Sequence, residues 1–366
     1  MAGSIAAQGG IWSFGLQAAK IGREGTFVDG AVTWYQHPAP RVALGTIQEQ
    51  QPFPPEVGGT IVTKGMYKQG FYGVAQVDMI PRLTASFGWL LKATMGTASS
   101  TLNKDADGVT VTGINTHIFR FNPSESAAQP WVATKRLVPG SVPADNYGET
   151  LFDGKVNSLR LTVPGKGKIA GQIGIIARDV KHITNPTWVY ANTNENTDHT
   201  ADAGSGGAFI GGVKYPITAA SIDIMNMLST PDQEAIIGDF RMDDMIALSR
   251  AAQIKIVYKY EDSTLYRKLV TGTASGTDYS NIPFTNNQDG TGYAFDFRFK
   301  TPAVIGATAA NYEIRFRAGR IVWSVDGPIE LAGQSIVQQT FTGTIVEPAA
   351  GQDFLQIVLV NGQASY

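Results

Sequence analysis

The chain has 366 residues, with 29 Lys and Arg against 31 Asp and Glu, and a formal net charge of −2. This balance excludes the strongly basic class of dedicated nucleic-acid binders, and a hydrophobic fraction of 43% excludes a disordered chain. The absence of cysteine excludes disulfides, thiol nucleophiles and cysteine-ligated metals.

Residues 1–30 show little periodic pattern, and we expect them to form an N-terminal arm. They lack the basic and apolar regions of a signal peptide, and no run reaches the ~20 apolar residues of a membrane helix. Charged residues make up only 16% of the chain, below the ~25% of ordinary domains. We therefore expect partners to cover much of the surface.

Two short segments favour helices, residues 81–92 and residues 262–270. Both place apolar side chains at helical spacing on one face, and each has a suitable first turn, with Pro81 in one and Asp262 as the cap of the other. The side chains expected to pack on the core are Leu83, Phe87, Leu90, Leu265 and Leu269.

Most of the remaining sequence predicts β-strands. Apolar and polar residues alternate in residues 118–121, 254–260, 295–299 and 312–317. Such alternation places one strand face on a core and leaves the other for solvent or a partner.

The sequence contains an internal repeat. Gly-Thr-Ala-Ser at residues 96–99 recurs at 272–275, and Phe-Arg-Phe at 119–121 recurs at 297–299. This shared order predicts a tandem duplication, with its joint in the polar tract that begins at Asn192. The expected domains are an arm over 1–30, a first domain over 31–195, and a second domain with a C-terminal strand over 196–366.

Catalytic and metal motifs are sparse, and we predict no enzyme activity, no metal site and no cofactor. The four histidines are not at metal-ligand spacing. Residues 103–108 match the first half of a calcium loop, but Ile114 stands where a bidentate Glu is needed. We interpret this segment as a polar hairpin turn.

Charge is locally uneven. Residues 221–244 hold six acids against one base, and residues 155–181 hold six bases against one acid. The two stretches form solvated surfaces, complementary faces between neighbouring subunits, or, for the acidic stretch, a channel lining that repels a polyanion. The sequence leaves these three interpretations open.

Taken in order, these features resemble the tail tube proteins of long-tailed bacteriophages, in the version with two tandem tube domains. The resemblance rests on residues 22–26 (Gly-Arg-Glu-Gly-Thr), the helix ending in Gly96, the strand at 116–121 (Thr-His-Ile-Phe-Arg-Phe), and residues 148–161, which include Lys-Val-Asn-Ser-Leu. The second copy shows no obvious counterpart of Lys-Val-Asn-Ser-Leu.

The resemblance implies a mainly β fold, made of two tandem β-sandwich tail-tube domains that each carry one short flanking helix. It also implies a structural virion protein that polymerises as stacked trimeric rings, each a pseudo-hexamer, into a tube for DNA passage. The implied partners are further copies of the chain and the tail tip or baseplate, tail terminator and tape-measure proteins. Synthesis is expected in the cytoplasm of the bacterial host.

On this basis we expect residues 1–30 and the strand at 354–360 to reach neighbouring subunits. Loops near residues 48–59 and 225–238 are expected to contact the next ring, and the acidic stretch to supply lumen-facing carboxylates. The inter-ring candidates are Gln48, Pro54, Glu56, Met225, Pro231 and Glu234. The lumen candidates are Asp223, Asp232, Asp239, Asp243 and Asp244.

Two alternatives remain. The first is a carbohydrate-binding or adhesin-like β-sandwich with a sugar platform built from Trp34, Trp89, Trp131, Trp188 and Trp323. The second is a β-rich glycosidase or lyase, for which Glu149 and Asp153 form the one near pair of carboxylates.

Overall fold

A computed structural model describes residues 10–54, 57, 62–63, 65–121, 129–184, 186–191, 197–271, 275, 277, 285–286, 294–329, 331, 336–347 and 353–366. In these residues the fold is mainly β, with two antiparallel sheets and two α-helices, as predicted for a β-sandwich. The helices are α1 (Ala85–Met95) and α2 (Thr264–Thr271). The strands are β1 (Ile11–Leu16), β2 (Tyr35–Gln36), β3 (Arg41–Pro52), β4 (Met66–Met79), β5 (Gly96–Thr101), β6 (Asn115–Phe121), β7 (Val132–Val138), β8 (Tyr147–Val163), β9 (Ala170–Thr184), β10 (Asp202–Ile210), β11 (Val213–Lys214), β12 (Ile217–Leu228), β13 (Ala247–Lys259), β14 (Thr285–Asn286), β15 (Phe295–Val304), β16 (Asn311–Ala318), β17 (Ile321–Val325), β18 (Gln338–Ile345) and β19 (Gln356–Asn361).

The larger sheet contains a repeated arrangement of strands. Eight strands are hydrogen-bonded in the order β3-β4-β9-β8-β12-β13-β18-β17. We call these strands the eight-stranded row. Its first four strands come from the first half of the chain and its last four from the second half, and each set of four is called a four-stranded unit. β7 pairs with the amino-terminal part of β8, as the short β14 pairs with β17.

The smaller sheet has the order β11-β10-β15-β16-β19-β6-β5. The repeated Phe-Arg-Phe segments lie on β6 and β15 of this sheet, with Phe119 and Phe297 fully buried. They pack in one hydrophobic core with Val77, Ile173 and Ile256 of the larger sheet. The two sheets therefore enclose a shared core.

Strand alternation places charges away from this core. On β16, Ile314 and Phe316 are buried in the core, while Glu313 and Arg315 point to the other face. That face is covered by a first-half loop, because Arg315 Nη1 donates to Asp107 Oδ1 at 2.7 Å. The halves are thus tied together outside the core as well.

The two predicted helices are present, with shifted ends. α1 begins at Ala85 rather than at Pro81, because the residues before it are extended: Arg82 forms an antiparallel β-bridge with Thr200, and Thr84 has a φ of −99° and a ψ of −168°. α1 ends at Gly96, whose φ of 97° suits glycine. The five residues expected to face the core are all buried, namely Leu83, Phe87, Leu90, Leu265 and Leu269.

Two segments expected to reach neighbouring subunits pair within their own chain. Part of the segment 1–30 forms β1, which pairs with β7 and buries Trp12 and Phe14. β19, in the segment expected at 354–360, lies between β16 and β6. It therefore closes the smaller sheet across the two halves of this chain.

The expected joint between the halves falls mainly on residues 192–196, which lie outside the described residues. On either side of it, strands of both halves are hydrogen-bonded in both sheets, through β8–β12 and β6–β19. The division into 31–195 and 196–366 stays a prediction from the repeat.

Candidate assembly surfaces

The described residues contain no group of three or more His, Asp or Glu side chains placed to hold a metal ion. In the loop that resembles half of a calcium site, Asp105 Oδ1 accepts the N–H groups of Asp107 and Val109 at 3.0 and 2.9 Å. The hydrogen bond from Arg315 lowers the pKa of Asp107 to about 2. The Asp105 carboxylate therefore stabilises the turn, and the Asp107 carboxylate binds Arg315 of the second half.

Two of the histidines are buried structural groups. The His117 ring contacts Ser100 Oγ at 2.8 Å and Asn361 Oδ1 at 3.1 Å, which links β5, β6 and β19. His37 Nδ1 lies 2.9 Å from Ser86 Oγ of α1. Burial, aided by the positive charge of Arg82, lowers the pKa of His37 to about 3.

Several tryptophans proposed as a sugar platform contact buried lysines instead. Lys135 Nζ lies 3.8 Å from the ring centre of Trp34 and 4.4 Å from that of Trp188, and it pairs with Asp29 at 3.0 Å. Burial lowers the pKa of Lys135 to about 8. The remaining three are spread over the molecule, with Trp89 on α1, Trp131 beside Lys155 and Trp323 buried on β17.

The junction between the two halves is the first candidate assembly surface. β8 and β12 are antiparallel, with Leu161 opposite Ile222 and Ser158 opposite Met225. Leu161 and Ile222 are buried, because this side of the junction faces the core. The chain thus contains one complete edge-to-edge contact between equivalent four-stranded units.

The two outer strands of the eight-stranded row have open edges. In the described part of the structure, β3 pairs only with β4. β17 pairs along its length with β18, and on its other side with β14 at Ile321 and Val322 alone. Backbone groups at an open strand edge are a template for pairing with another chain.

The first-half residues expected to contact a neighbouring ring lie around the end of the β3–β4 hairpin. Gln48 is on β3 and Pro54 follows that strand, and both are exposed. Glu56 lies outside the described residues. The hairpin end also exposes apolar side chains, which are Phe53, Val57, Val62, Met66 and Tyr67.

The second-half residues lie in or near the β12–β13 connection. Met225 is on β12, while Pro231 and Glu234 are in the connection itself, where the Glu234 N–H donates to the Pro231 carbonyl at 3.2 Å. The connection lies against β4, because the Phe71 N–H donates to the Phe240 carbonyl at 2.9 Å. This connection and the start of β13 also expose apolar side chains, which are Ile236, Ile237, Phe240 and Ile246 in the connection and Leu248 on β13.

Three of the five acidic candidates face basic residues of the amino-terminal segment. Arg23 Nε lies 3.5 Å from a carboxylate oxygen of Asp239 and of Asp243. Lys20 Nζ lies 3.7 Å from Asp244. The acidic stretch is therefore partly neutralised within the chain, which its local sequence did not reveal.

The other two acidic candidates have different surroundings. Asp223 lies on β12, on the face of the sheet away from the core, beside Arg160 of β8. Asp232 is exposed in the β12–β13 connection.

A buried ion pair that was not predicted from the sequence anchors the amino-terminal segment. Asp153 is fully buried and accepts hydrogen bonds from Arg178 Nε at 3.0 Å, from the Ile21 N–H at 2.8 Å and from the Gly22 N–H at 3.0 Å. Its φ of 50° is uncommon for a non-glycine residue but tolerated by Asp. The Asp-Gly dipeptide at 153–154 was the available signal.

Glu149, the other carboxylate proposed for a glycosidase pair, is also held by the protein. Its carboxylate pairs with Arg136 Nη2 at 2.6 Å and lies 3.7 Å from His182. Together with the use of Asp153 by Arg178, this gives the enzyme alternative no support.

A family model described as phage tail tube protein matches residues 54–345. The chain belongs to the phage tail tube protein family. The match covers both helices and every strand of the eight-stranded row except β3, so the family accounts for most of the tail tube chain. A comparison with curated proteins gave no match.

Membership identifies a structural component of the virion tail. No helix in the described ranges is both long and apolar enough to span a bilayer. The family thus agrees with the resemblance drawn from the residues, and it directs attention to the open edges and hairpin ends as surfaces for self-assembly.

Proposed function

We propose that copies of this chain polymerise as stacked rings into the phage tail tube and that the channel of this tube conducts DNA into the host. The junction between β8 and β12 is the observation that carries the proposal. In this junction two four-stranded units of the chain join side by side through strand edges, and this supports the same kind of contact between chains. The joined row ends in two further edges, on β3 and β17, that are open to other copies.

A contact between two different edges is heterologous, and it closes into a ring when the rotation per unit allows it. Each chain carries two units, so three chains would supply six. This supports a trimeric ring with pseudo-hexameric symmetry, which is the arrangement implied for a duplicated tail tube chain.

The hairpin ends support stacking of one ring on the next. The β12–β13 connection lies against β4, and both it and the end of the β3–β4 hairpin expose large apolar side chains, among them Phe53, Ile237 and Phe240. Contiguous exposed apolar groups commonly mark protein interfaces. We assign these connections, including Gln48, Pro54, Glu56, Met225, Pro231 and Glu234, to contacts between rings.

The face of the eight-stranded row away from the core is the proposed lining of the channel. Asp223 lies on this face, and Asp232 lies at its end. A carboxylate on the lining repels the DNA backbone and limits adhesion during passage. Asp239, Asp243 and Asp244 contribute less to the lining, because they pair with Arg23 and Lys20.

Assembly in this scheme takes place in the host cytoplasm. It involves the tail tip or baseplate as a starting surface, a tape-measure protein that sets length, and a terminator that ends the tube. The family assignment supports these partners as a class.

Negative-stain electron microscopy of the concentrated protein, alone and with tail tips from the same phage, tests the proposal. Hollow tubes are the expected result, with end views that show three-fold symmetry and six lobes. A protein that stays monomeric under both conditions would overturn it. Closed rings with six-fold spacing but without stacking would support the ring and contradict the proposed hairpin contacts.

A further inference from the structure

We propose that the open edge of β17 in one copy pairs with the open edge of β3 in the next copy, in an antiparallel register that sets Ser324 opposite Ile47. This inference rests on the proposed ring and names the strands, the residues and the register that close it. The partner is a second copy of this chain.

The strands of the two halves can be aligned with each other through their helices. α1 begins six residues after Met79, the last residue of β4. α2 likewise begins six residues after Tyr258, near the end of β13. Counting back from the helices aligns Val77 with Ile256, and both side chains are fully buried.

The paired residues extend this alignment to the other strands of the larger sheet in both halves. In the first half, Val77 pairs with Val42 and Ile173, and Ile173 pairs with Leu159. In the second half, the corresponding row of paired residues is Ala220, Ile256, Phe341 and Val325. β3 therefore corresponds to β12, and β8 corresponds to β17.

The sequence agrees with this alignment. It sets Val-Asn-Ser-Leu at residues 156–159 against Val-Trp-Ser-Val at 322–325. The segment of β17 is thus the counterpart of the Lys-Val-Asn-Ser-Leu strand that was not evident from the sequence alone.

The β8–β12 junction within the chain provides the register for the contact between chains. Within the chain, Ser158 of β8 lies opposite Met225 of β12, and Leu159 lies opposite Ile224. The same relation applied to the two open edges sets Ser324 opposite Ile47 and Val325 opposite Thr46.

The residues at the two edges fit this pairing. Residues 42–48 of β3 contain no charge and no proline, although charge and proline are the usual protections of an exposed edge. Thr46 and Val325 are half-buried on the core side, whereas Ile47 and Ser324 are exposed on the other face. The Thr46 hydroxyl is buried without a hydrogen-bond partner among the described residues.

Neighbouring strands leave room for the contact. β14 covers β17 only at Ile321 and Val322, just as β7 stops at Gly154 on β8 and leaves the later residues of β8 to β12. Residues 323–325 of β17 are therefore the part of the edge that is available to another chain.

Engineered disulfides test the register, since the chain has no cysteine. Directly opposed residues in an antiparallel pair have Cβ atoms about 4.5–5.5 Å apart, close to disulfide geometry, whereas diagonal neighbours are about 7–8 Å apart. The test variant is Ile47→Cys with Ser324→Cys. The register control is Ile47→Cys with Asp326→Cys, which lies on the same face but one diagonal step away.

A third variant, Ser158→Cys with Met225→Cys, repeats the design at the in-chain junction and must oxidise within one chain. We expect mild oxidation of assembled protein to give dimers and trimers of the Ile47→Cys/Ser324→Cys variant on a non-reducing gel. The diagonal pair should give at least about tenfold fewer crosslinks, and each single-cysteine variant should give none.

The possible outcomes separate this inference from the proposed function. If tubes form and the in-chain pair oxidises, but Ile47→Cys/Ser324→Cys gives no ladder, the edge pairing is wrong and the tube stands. Equal ladders from the test and diagonal pairs would overturn the register. If wild-type protein forms no tubes even with tail tips, the proposed function itself fails.

Discussion

Arg160 Nε of β8 lies 3.2 Å from Asp223 Oδ1 of β12, so an ion pair spans the junction between the two halves. Arg160 is 58% exposed, and Leu161 beside it is 1% exposed on the opposite face. The same two strands therefore meet through a solvated charge pair on one side and through buried apolar side chains on the other.

These two faces should differ in their contribution to stability. Leu161→Ala should lower the free energy of unfolding by about 2–5 kcal/mol, because it leaves a cavity against Ile222. Arg160→Ala should lower it by less than about 1 kcal/mol, because exposed ion pairs contribute little. Urea unfolding followed by tryptophan fluorescence measures both. Equal losses would contradict the assignment of the core side.

His37 should make stability depend on pH. Its folded pKa is lowered to about 3, whereas an unfolded histidine titrates near ~6.5. Between these values the unfolded chain binds more protons, so stability falls as pH drops from about 6.5 towards 3, by up to about 1.4 kcal/mol per pH unit.

The variant His37→Gln removes this contribution. The difference in unfolding free energy between wild type and variant, measured from pH 7 to 4, should shrink as pH falls through this window. Parallel curves for the two proteins would show that His37 is protonated at no cost in the folded state.

Asp153 should hold the amino-terminal segment on the body of the protein. Asp153→Ala leaves Arg178 buried and unpaired, and we expect a loss of about 3–5 kcal/mol. It should also expose Lys20 and Arg23 to trypsin, because the N–H groups of Ile21 and Gly22 lose their acceptor.

Limited proteolysis with mass spectrometry locates these cuts. Asp145→Ala, at an exposed carboxylate, is the matched control and should keep the wild-type pattern. If Asp153→Ala resists trypsin at Lys20 and Arg23 as well as the wild type does, other contacts suffice to hold the segment.

Ile237 should act in stacking and not in folding. Its side chain is fully exposed in the β12–β13 connection, so Ile237→Asp should change the free energy of unfolding by less than about 0.5 kcal/mol. Tubes should be replaced by free rings, as seen by electron microscopy and light scattering. Val189→Asp, at an exposed valine elsewhere, should still give tubes, and normal tubes from Ile237→Asp would exclude this contact.

Local signals in the sequence predicted much of the fold. The alternation at residues 312–317 and the apolar face of residues 81–92 are set by strand and helix periods, and both elements are present. The start of α1 was misplaced because Arg82 forms a β-bridge with Thr200, which is distant in sequence, and this holds residues 82–84 extended.

The partners of strands were harder to predict, because pairing depends on residues far apart in the sequence. β1 and β19 have ordinary strand patterns, and nothing in those patterns distinguishes pairing within the chain from pairing with a neighbour. The open edges of β3 and β17 became visible only once the in-chain ladders were known.

The second copy of the Lys-Val-Asn-Ser-Leu strand was missed for a related reason. Ser324 follows Ser158 by 166 residues, whereas the Phe-Arg-Phe segments are 178 residues apart. The connections between strands differ in length in the two halves, so the offset between equivalent residues changes along the chain. The strand pairing in the structure is needed to align the two halves.

The position of β19 between β6 and β16 has a consequence for how such a gene can change. A recombination event in the polar tract near residue 195 looks harmless in the sequence, yet it would combine β6 from one parent with β19 from another. Because these strands share six paired positions, exchanged halves must match there as well as at the β8–β12 junction. A half from another parent is therefore tolerated only where it fits both contacts, so the two halves tend to be inherited together.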